Sequence, residues 1–199
     1  MFGRRVACLV IVVLAVGACG GPAAASPSPS APAAVTSTPS PSIVVAVPQP
    51  SATSSAATGS YTCSFPVTLP GTAAGPSQAV PTAVRIGKHG DYDRIVFEYS
   101  GTVLPALEIS AVTPPFSHDP SGLSMTVAGT SFLRMRLDGV KSGVTLRTSY
   151  SVNFPTLTQV REQGDFEAVQ SWIAGLTRPG CVHVSVLSAP ARIVIDLQH

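Results

Sequence analysis

The stretch Arg94-Ile95-Val96-Phe97-Glu98-Tyr99 decides the fold class of this chain. Its large side chains alternate, so that Ile95, Phe97 and Tyr99 share one face while the charged side chains share the other. Alternation with a period of two is typical of a β-strand that buries one face. The stretch therefore predicts a half-buried strand.

Five further segments alternate in the same way along the second half of the chain. Their ranges are 123–127, 133–137, 144–152, 182–186 and 193–197. Turn-forming runs such as Asp119-Pro120-Ser121-Gly122 separate them. Short strands at this spacing predict an all-β fold, a single antiparallel β-sandwich of about seven to nine strands over residues 84–199.

The segment 165–176 is ambiguous between helix and strand. The apolar residues that would form a helical stripe are Phe166, Val169, Trp172, Ile173 and Leu176. The same segment also alternates tolerably as a strand. We favour a strand, because the turn Arg178-Pro179-Gly180 would then join it to the next strand as a hairpin.

Residues 1–18 have the composition of an export signal. Arg4 and Arg5 precede an uncharged apolar run that ends at Ala18, which is typical of a secretory signal. As a helix this run would span roughly 20 Å, less than the roughly 30 Å hydrocarbon core of a membrane. We therefore expect an export signal rather than a permanent transmembrane helix.

The signal ends in Val16-Gly17-Ala18-Cys19, which resembles the lipobox of bacterial lipoproteins. The resemblance implies that Cys19 is acylated and anchors the protein on the outer face of the cell membrane. The alternative is ordinary cleavage at a small-residue site, with Cys19 as a bystander.

Residues 19–60 are rich in proline, serine, alanine and threonine and carry no charge. Such a tract cannot bury enough apolar surface to offset chain entropy, so it predicts a disordered tether. The following segment, 61–83, is expected to be extended and held against the domain. It contains Cys63, which in an exported chain is expected to form a disulfide with Cys181. Two unpaired buried thiols are the alternative.

Charge and cysteine spacing exclude several classes of function. The formal net charge is +2, and removal of Arg4 and Arg5 with the signal leaves equal numbers of basic and acidic side chains. A basic patch or zinc-finger spacing, which would indicate a nucleic-acid partner, is not present in the sequence. The sequence likewise predicts neither a metal site nor a cofactor.

Four blocks of the domain resemble the AMIN-like domain of actinobacterial lipoproteins. They are VRIGKHGDYDRIVFEY (84–99), GDFE (164–167), WIAGL (172–176) and APARIVIDLQH (189–199). The middle of the domain, 104–155, departs from the family pattern. The resemblance implies a β-sandwich of the cell envelope that binds peptidoglycan or an envelope protein partner without catalysing a reaction.

A glycan-binding groove would need aromatic side chains for stacking and arginines for hydrogen bonds. The candidate ligand-binding residues are Arg85, His89, Tyr92, Arg94, Trp172 and Arg178. Trp172, the only tryptophan, is more typical of a position in the core, and His89 is more typical of an exposed turn.

Two alternative functions remain open from the sequence. The carboxylate pairs Asp91/Asp93 and Asp165/Glu167 could serve an envelope hydrolase if each pair shares a strand face. We favour the interpretation that they are solvated charges at strand ends, and we expect no enzyme. The other alternative is a structural accessory subunit of an envelope complex.

Overall fold

The computed structural model describes residues 59–199. The predicted signal peptide, the lipidation site Cys19 and all but the last two residues of the predicted tether lie outside this range. The described residues contain twelve strands and no helix, so this part of the chain has no helix that could cross a membrane.

The strands form two larger sheets and one small hairpin. Their bounds are β1 (Val67–Leu69), β2 (Pro81–Lys88), β3 (Tyr92–Tyr99), β4 (Ala106–Val112), β5 (Phe116–Ser117), β6 (Ser124–Met125), β7 (Ser131–Asp138), β8 (Ser149–Ser151), β9 (Leu157–Phe166), β10 (Val169–Leu176), β11 (Val182–Ser188) and β12 (Ala191–Gln198). The six-stranded sheet has the order β1-β4-β7-β10-β9-β8, the four-stranded sheet has the order β11-β12-β3-β2, and β5 pairs with β6. All paired strands are antiparallel.

The core lies between the two larger sheets. One cluster of buried side chains joins Phe97 of β3 and Ile195 of β12 to Met135 of β7 and Trp172 of β10. The predicted all-β antiparallel sandwich is therefore confirmed. The structure has more strands than expected, because the loops contribute four strands of only two or three residues.

Two of the alternating segments form much shorter strands than predicted. Within 123–127 only Ser124–Met125 is a strand, and Leu123 is 68% exposed. This segment belongs to the β5–β6 hairpin, where Met125 packs against Phe132 and Ile173 in a cluster separate from the core. Within 144–152 only Ser149–Ser151 pairs, at the edge of the six-stranded sheet.

The ambiguous segment forms strand and no helix, as favoured, but it is divided between the end of β9 and all of β10. The expected hairpin through residues 178–180 is wrong. After β10 the turn Arg178-Pro179-Gly180 carries the chain to β11 in the other sheet. The hairpin instead joins β9 to β10 through Glu167 and Ala168, which both have positive φ. Ala168 is held in this conformation because its carbonyl accepts the N–H groups of Gly139 and Val140.

The segment before the domain is fixed at several points. Cys63 is bonded to Cys181, which confirms the predicted disulfide. Beside it, Thr62 and Val182 exchange two backbone hydrogen bonds of 2.8 Å. Further along, β1 pairs with β4 at the edge of the six-stranded sheet, and β2 begins at Pro81, three residues before the expected domain boundary.

Candidate functional site

A row of three polar residues crosses the outer face of the four-stranded sheet. His183 of β11 lies directly opposite Asp196 of β12, which lies directly opposite Arg94 of β3. Directly opposed side chains on neighbouring strands are within interaction distance. Strand register therefore brings together residues that lie far apart in the sequence.

The strongest contact in this row is the ion pair between Arg94 and Asp196. Arg94 donates from Nε to Oδ1 at 2.7 Å and from Nη2 to Oδ2 at 2.9 Å. Asp196 is fully buried, whereas the Arg94 side chain is 23% exposed. The hydrogen bond that Arg94 donates to Asp196 is the main cause that raises the pKa of Arg94.

Aromatic rings flank the row on both sides. On one side the Arg94 guanidinium lies 4.9 Å from the centre of the Tyr92 ring, and His89 stacks on Tyr92 at 4.6 Å. On the other side Tyr61 meets the His183 ring edge to face at 5.9 Å. Burial, followed by the nearby charge of Asp196, raises the pKa of Tyr61.

We call this set the aromatic–arginine patch, comprising Tyr61, His89, Tyr92, Arg94, His183 and Asp196. Asp196 engages only Nε and Nη2 of Arg94. Nη1, which carries two N–H groups, is therefore not used by the ion pair. A guanidinium held by a buried carboxylate beside an aromatic ring can donate to carboxylate or hydroxyl oxygens. Tyr92 is only 6% exposed and supports Arg94, whereas the partly exposed rings of Tyr61 and His89 can stack on a sugar or a planar group.

The model of the AMIN-like domain matches residues 79–199. The chain belongs to the AMIN-like domain family. Neither a curated protein nor a solved structure matches the chain. AMIN-like domains occur in cell-envelope proteins and are generally non-catalytic binding modules, so the family indicates an envelope-associated binding module. Of the patch, only Tyr61 precedes the matched range.

The AMIN-like domain brings together three of the six candidate ligand-binding residues, namely His89, Tyr92 and Arg94. Arg85 lies on the same sheet but pairs with Glu98, with Nε 3.3 Å from a carboxylate oxygen. Arg178 is exposed in the loop between β10 and β11 and is not part of the patch.

Trp172 is not available to a ligand, which corrects its place among the candidates. It is 0% exposed because it projects from β10 into the space between the sheets. There its ring centre lies 5.8 Å from that of Phe97 and 6.4 Å from that of Tyr150. The core alternative for this residue is therefore confirmed.

Three patch residues were missed as candidates, namely Tyr61, His183 and Asp196. Asp196 was expected only as a polar side chain on the outward face of its strand. A pairing of β3 with β12 in antiparallel register would have placed it opposite Arg94. That register comes from the fold, and no local pattern in the sequence contains it.

The two carboxylates of the first pair lie in different environments. Asp91 is exposed, but Asp93 is fully buried. The interpretation of Asp93 as a solvated charge is therefore wrong. Its Oδ2 accepts the backbone N–H groups of Thr156 and Leu157 at 2.8 Å each.

In the second pair, Asp165 lies within β9, whereas Glu167 lies just after β9 ends. Asp165 accepts the N–H group of Gly143 at 2.8 Å, whereas Glu167 lies in the following turn. A different carboxylate, Glu162, is partly buried. It accepts a 3.0 Å hydrogen bond from Gln170, and desolvation raises its pKa. Within residues 59–199 the structure contains no cluster of three or more side chains able to hold a metal ion.

Proposed function

We propose that this protein is an exported, lipid-anchored cell-envelope protein whose AMIN-like domain binds peptidoglycan through the aromatic–arginine patch, without catalysing a reaction. The observation that carries the proposal is the Arg94 guanidinium, held by buried Asp196 and flanked by Tyr92. This arrangement lies on strands that belong to the family match.

The chemistry of the patch suits a polymer of sugars and short peptides. Sugar rings stack on aromatic faces, and peptide carboxylates accept paired hydrogen bonds from a guanidinium. Because Asp196 fixes Arg94 before a ligand arrives, little side-chain entropy is lost on binding. One carboxylate of each pair accepts backbone N–H groups, which favours a structural role for Asp93 and Asp165.

The first test measures retention of the full chain on purified peptidoglycan. Arg94→Lys keeps a positive charge opposite Asp196 but removes the planar guanidinium with its further donors. We expect retention to fall about tenfold or more, since hydrogen bonds to charged groups contribute about 1.5 to 3 kcal/mol each.

A matched control exists on the other sheet. Arg147 also lies over a tyrosine, with its guanidinium 4.7 Å from the centre of the Tyr150 ring. Arg147→Lys should therefore leave retention unchanged. If retention fell equally in both variants, a role for the patch would be contradicted. If the unchanged chain were retained no better than a denatured control, the partner would be an envelope protein and not peptidoglycan.

The second test concerns the anchor, which rests on the sequence around Cys19. Cys19→Ala should abolish incorporation of labelled fatty acid, because the thiol that is acylated has been removed. Cys8→Ala is the matched control, since Cys8 lies within the predicted signal and should leave labelling intact. Labelling that persists in Cys19→Ala would refute the lipobox assignment.

A further inference from the structure

One edge of the four-stranded sheet carries an open row of backbone hydrogen-bonding groups. β11 pairs with β12 on one side only. Val182 directs its N–H and C=O groups away from β12, towards Thr62. Because these directions alternate along a strand, Val184, Val186 and Ser188 direct theirs the same way. Within the described residues no backbone group bonds to these three.

This edge also lacks the usual protection against pairing. Residues 184–188 contain no charged side chain and no proline, and Val186 and Leu187 are 39% and 44% exposed. The opposite edge strand, β2, carries Pro81, Arg85 and Lys88. The edge strands of the other sheet, β1 and β8, are only three residues long. Short, charged or proline-containing edges are how proteins prevent strand pairing.

Residues 59–61, which directly precede Thr62, do not continue along this edge. At Gly59 the backbone lies against the ring of His183, so closely that a Cβ atom there would overlap the ring. Since His183 projects from the outer face of the sheet, the chain has left the edge for that face by Gly59. Residues 59–61 therefore leave the outward groups of Val184, Val186 and Ser188 uncovered.

We propose that β11 pairs with β11 of a second copy of this chain, in antiparallel orientation, to form a continuous eight-stranded sheet. Thr62 restricts the register of this pairing, because it already bonds to the backbone N–H and C=O groups of Val182. The register that avoids Thr62 places Val186 opposite the same residue of the second copy and Val184 opposite Ser188. This pairing provides about six backbone hydrogen bonds.

The edge is compatible with a copy of itself. In this register the exposed Leu187 faces Ser185 of the second copy, and the two Val186 side chains cover each other at the two-fold axis. Because the paired residues carry no charge, two identical edges meet without electrostatic repulsion. A symmetric interface requires this self-complementarity.

The pairing would place two aromatic–arginine patches on one surface. The two-fold axis is perpendicular to the sheet, so both outer faces lie on the same side. With strands about 4.8 Å apart and about 3.3 Å per residue, the two Arg94 positions lie roughly 30 Å from each other in an untwisted sheet. If the proposed function holds, a repeating polymer can engage both patches and gain avidity; the pairing itself does not depend on that function.

The test uses the full chain carrying Cys19→Ala, so that no lipid contributes to association. Sedimentation equilibrium between micromolar and millimolar concentrations should show a monomer–dimer equilibrium. Val186→Lys places two like charges opposite each other and should weaken dimerisation at least about tenfold. Leu123→Lys is the matched control, since Leu123 is exposed on the β5–β6 hairpin and should leave the dimer unchanged.

Amide hydrogen exchange provides the second measurement. The N–H groups of Val184 and Val186 should exchange more slowly as protein concentration rises. A monomer whose Val186 N–H exchanges rapidly at every concentration would overturn the proposal, as would a dimer unaffected by Val186→Lys. Slow exchange in a strict monomer would also overturn it, because a segment of the same chain, such as the apolar residues 43–47, would then cover the edge.

Discussion

Replacing both Cys63 and Cys181 with serine is expected to lower the free energy of unfolding by about 4 to 5 kcal/mol. The bridge joins residues 118 positions apart, so its loss releases a very long loop in the unfolded chain. A domain of this size is stable by only about 5 to 15 kcal/mol, so the loss is a large part of the total. Urea unfolding of the full chain measures this decrease in the free energy of unfolding.

The reduced and oxidised proteins supply the control. Dithiothreitol should destabilise the unchanged chain by a similar amount and should have no effect on the double serine variant. The bridge also fixes the segment that contains Thr62, so proteolysis between residues 59 and 69 should become faster in the variant. A difference below about 1 kcal/mol would contradict the loop-closure argument.

The sequence predicted the class of fold because its strongest signal is one-sided burial. Ile95, Phe97 and Tyr99 alternate and are all buried in the core. The same signal misjudged 123–127, where alternate side chains pack onto the outside of a sheet as part of a two-residue strand pair. Alternation reports that one face is covered, but it does not report how long a strand is or which sheet it joins.

The site was predictable only where its residues are neighbours in the sequence. His89, Tyr92 and Arg94 lie in one hairpin and were found together. Asp196 lies 102 residues from Arg94, so its role depends on the register of β3 with β12, which no local pattern contains. Trp172 shows a different difficulty. A tryptophan side chain suits both a buried core and a sugar-binding surface, and only its position on a central strand decides between them.

Asp93 could have been placed more accurately from the same pattern. It lies two residues before Ile95, so the period of two puts it on the inward face of β3 together with the apolar side chains. A carboxylate on an inward face must find hydrogen-bond partners, since burial without them is costly. The structure supplies them from the start of β9, in the opposite sheet.

Asp93→Ala is therefore expected to lower the free energy of unfolding by about 2 to 5 kcal/mol. The substitution leaves the N–H groups of Thr156 and Leu157 buried without an acceptor. It also removes the 3.0 Å contact between Oδ1 of Asp93 and Nε2 of His199. Because the Asp93 side chain of one sheet binds backbone at the start of β9 in the other, its loss weakens the packing of the two sheets.

Asp91→Ala is the matched control, since Asp91 lies two residues away with an exposed side chain and should change stability by less than about 0.5 kcal/mol. Asp93→Asn should recover part of the loss, because its amide oxygen can still accept the two N–H groups. Urea unfolding of the three variants separates these effects. If Asp93→Ala were no less stable than Asp91→Ala, the hydrogen bonds between Asp93 and β9 would not hold the sheets together, and the stability of the sandwich would rest on its apolar core and the disulfide alone.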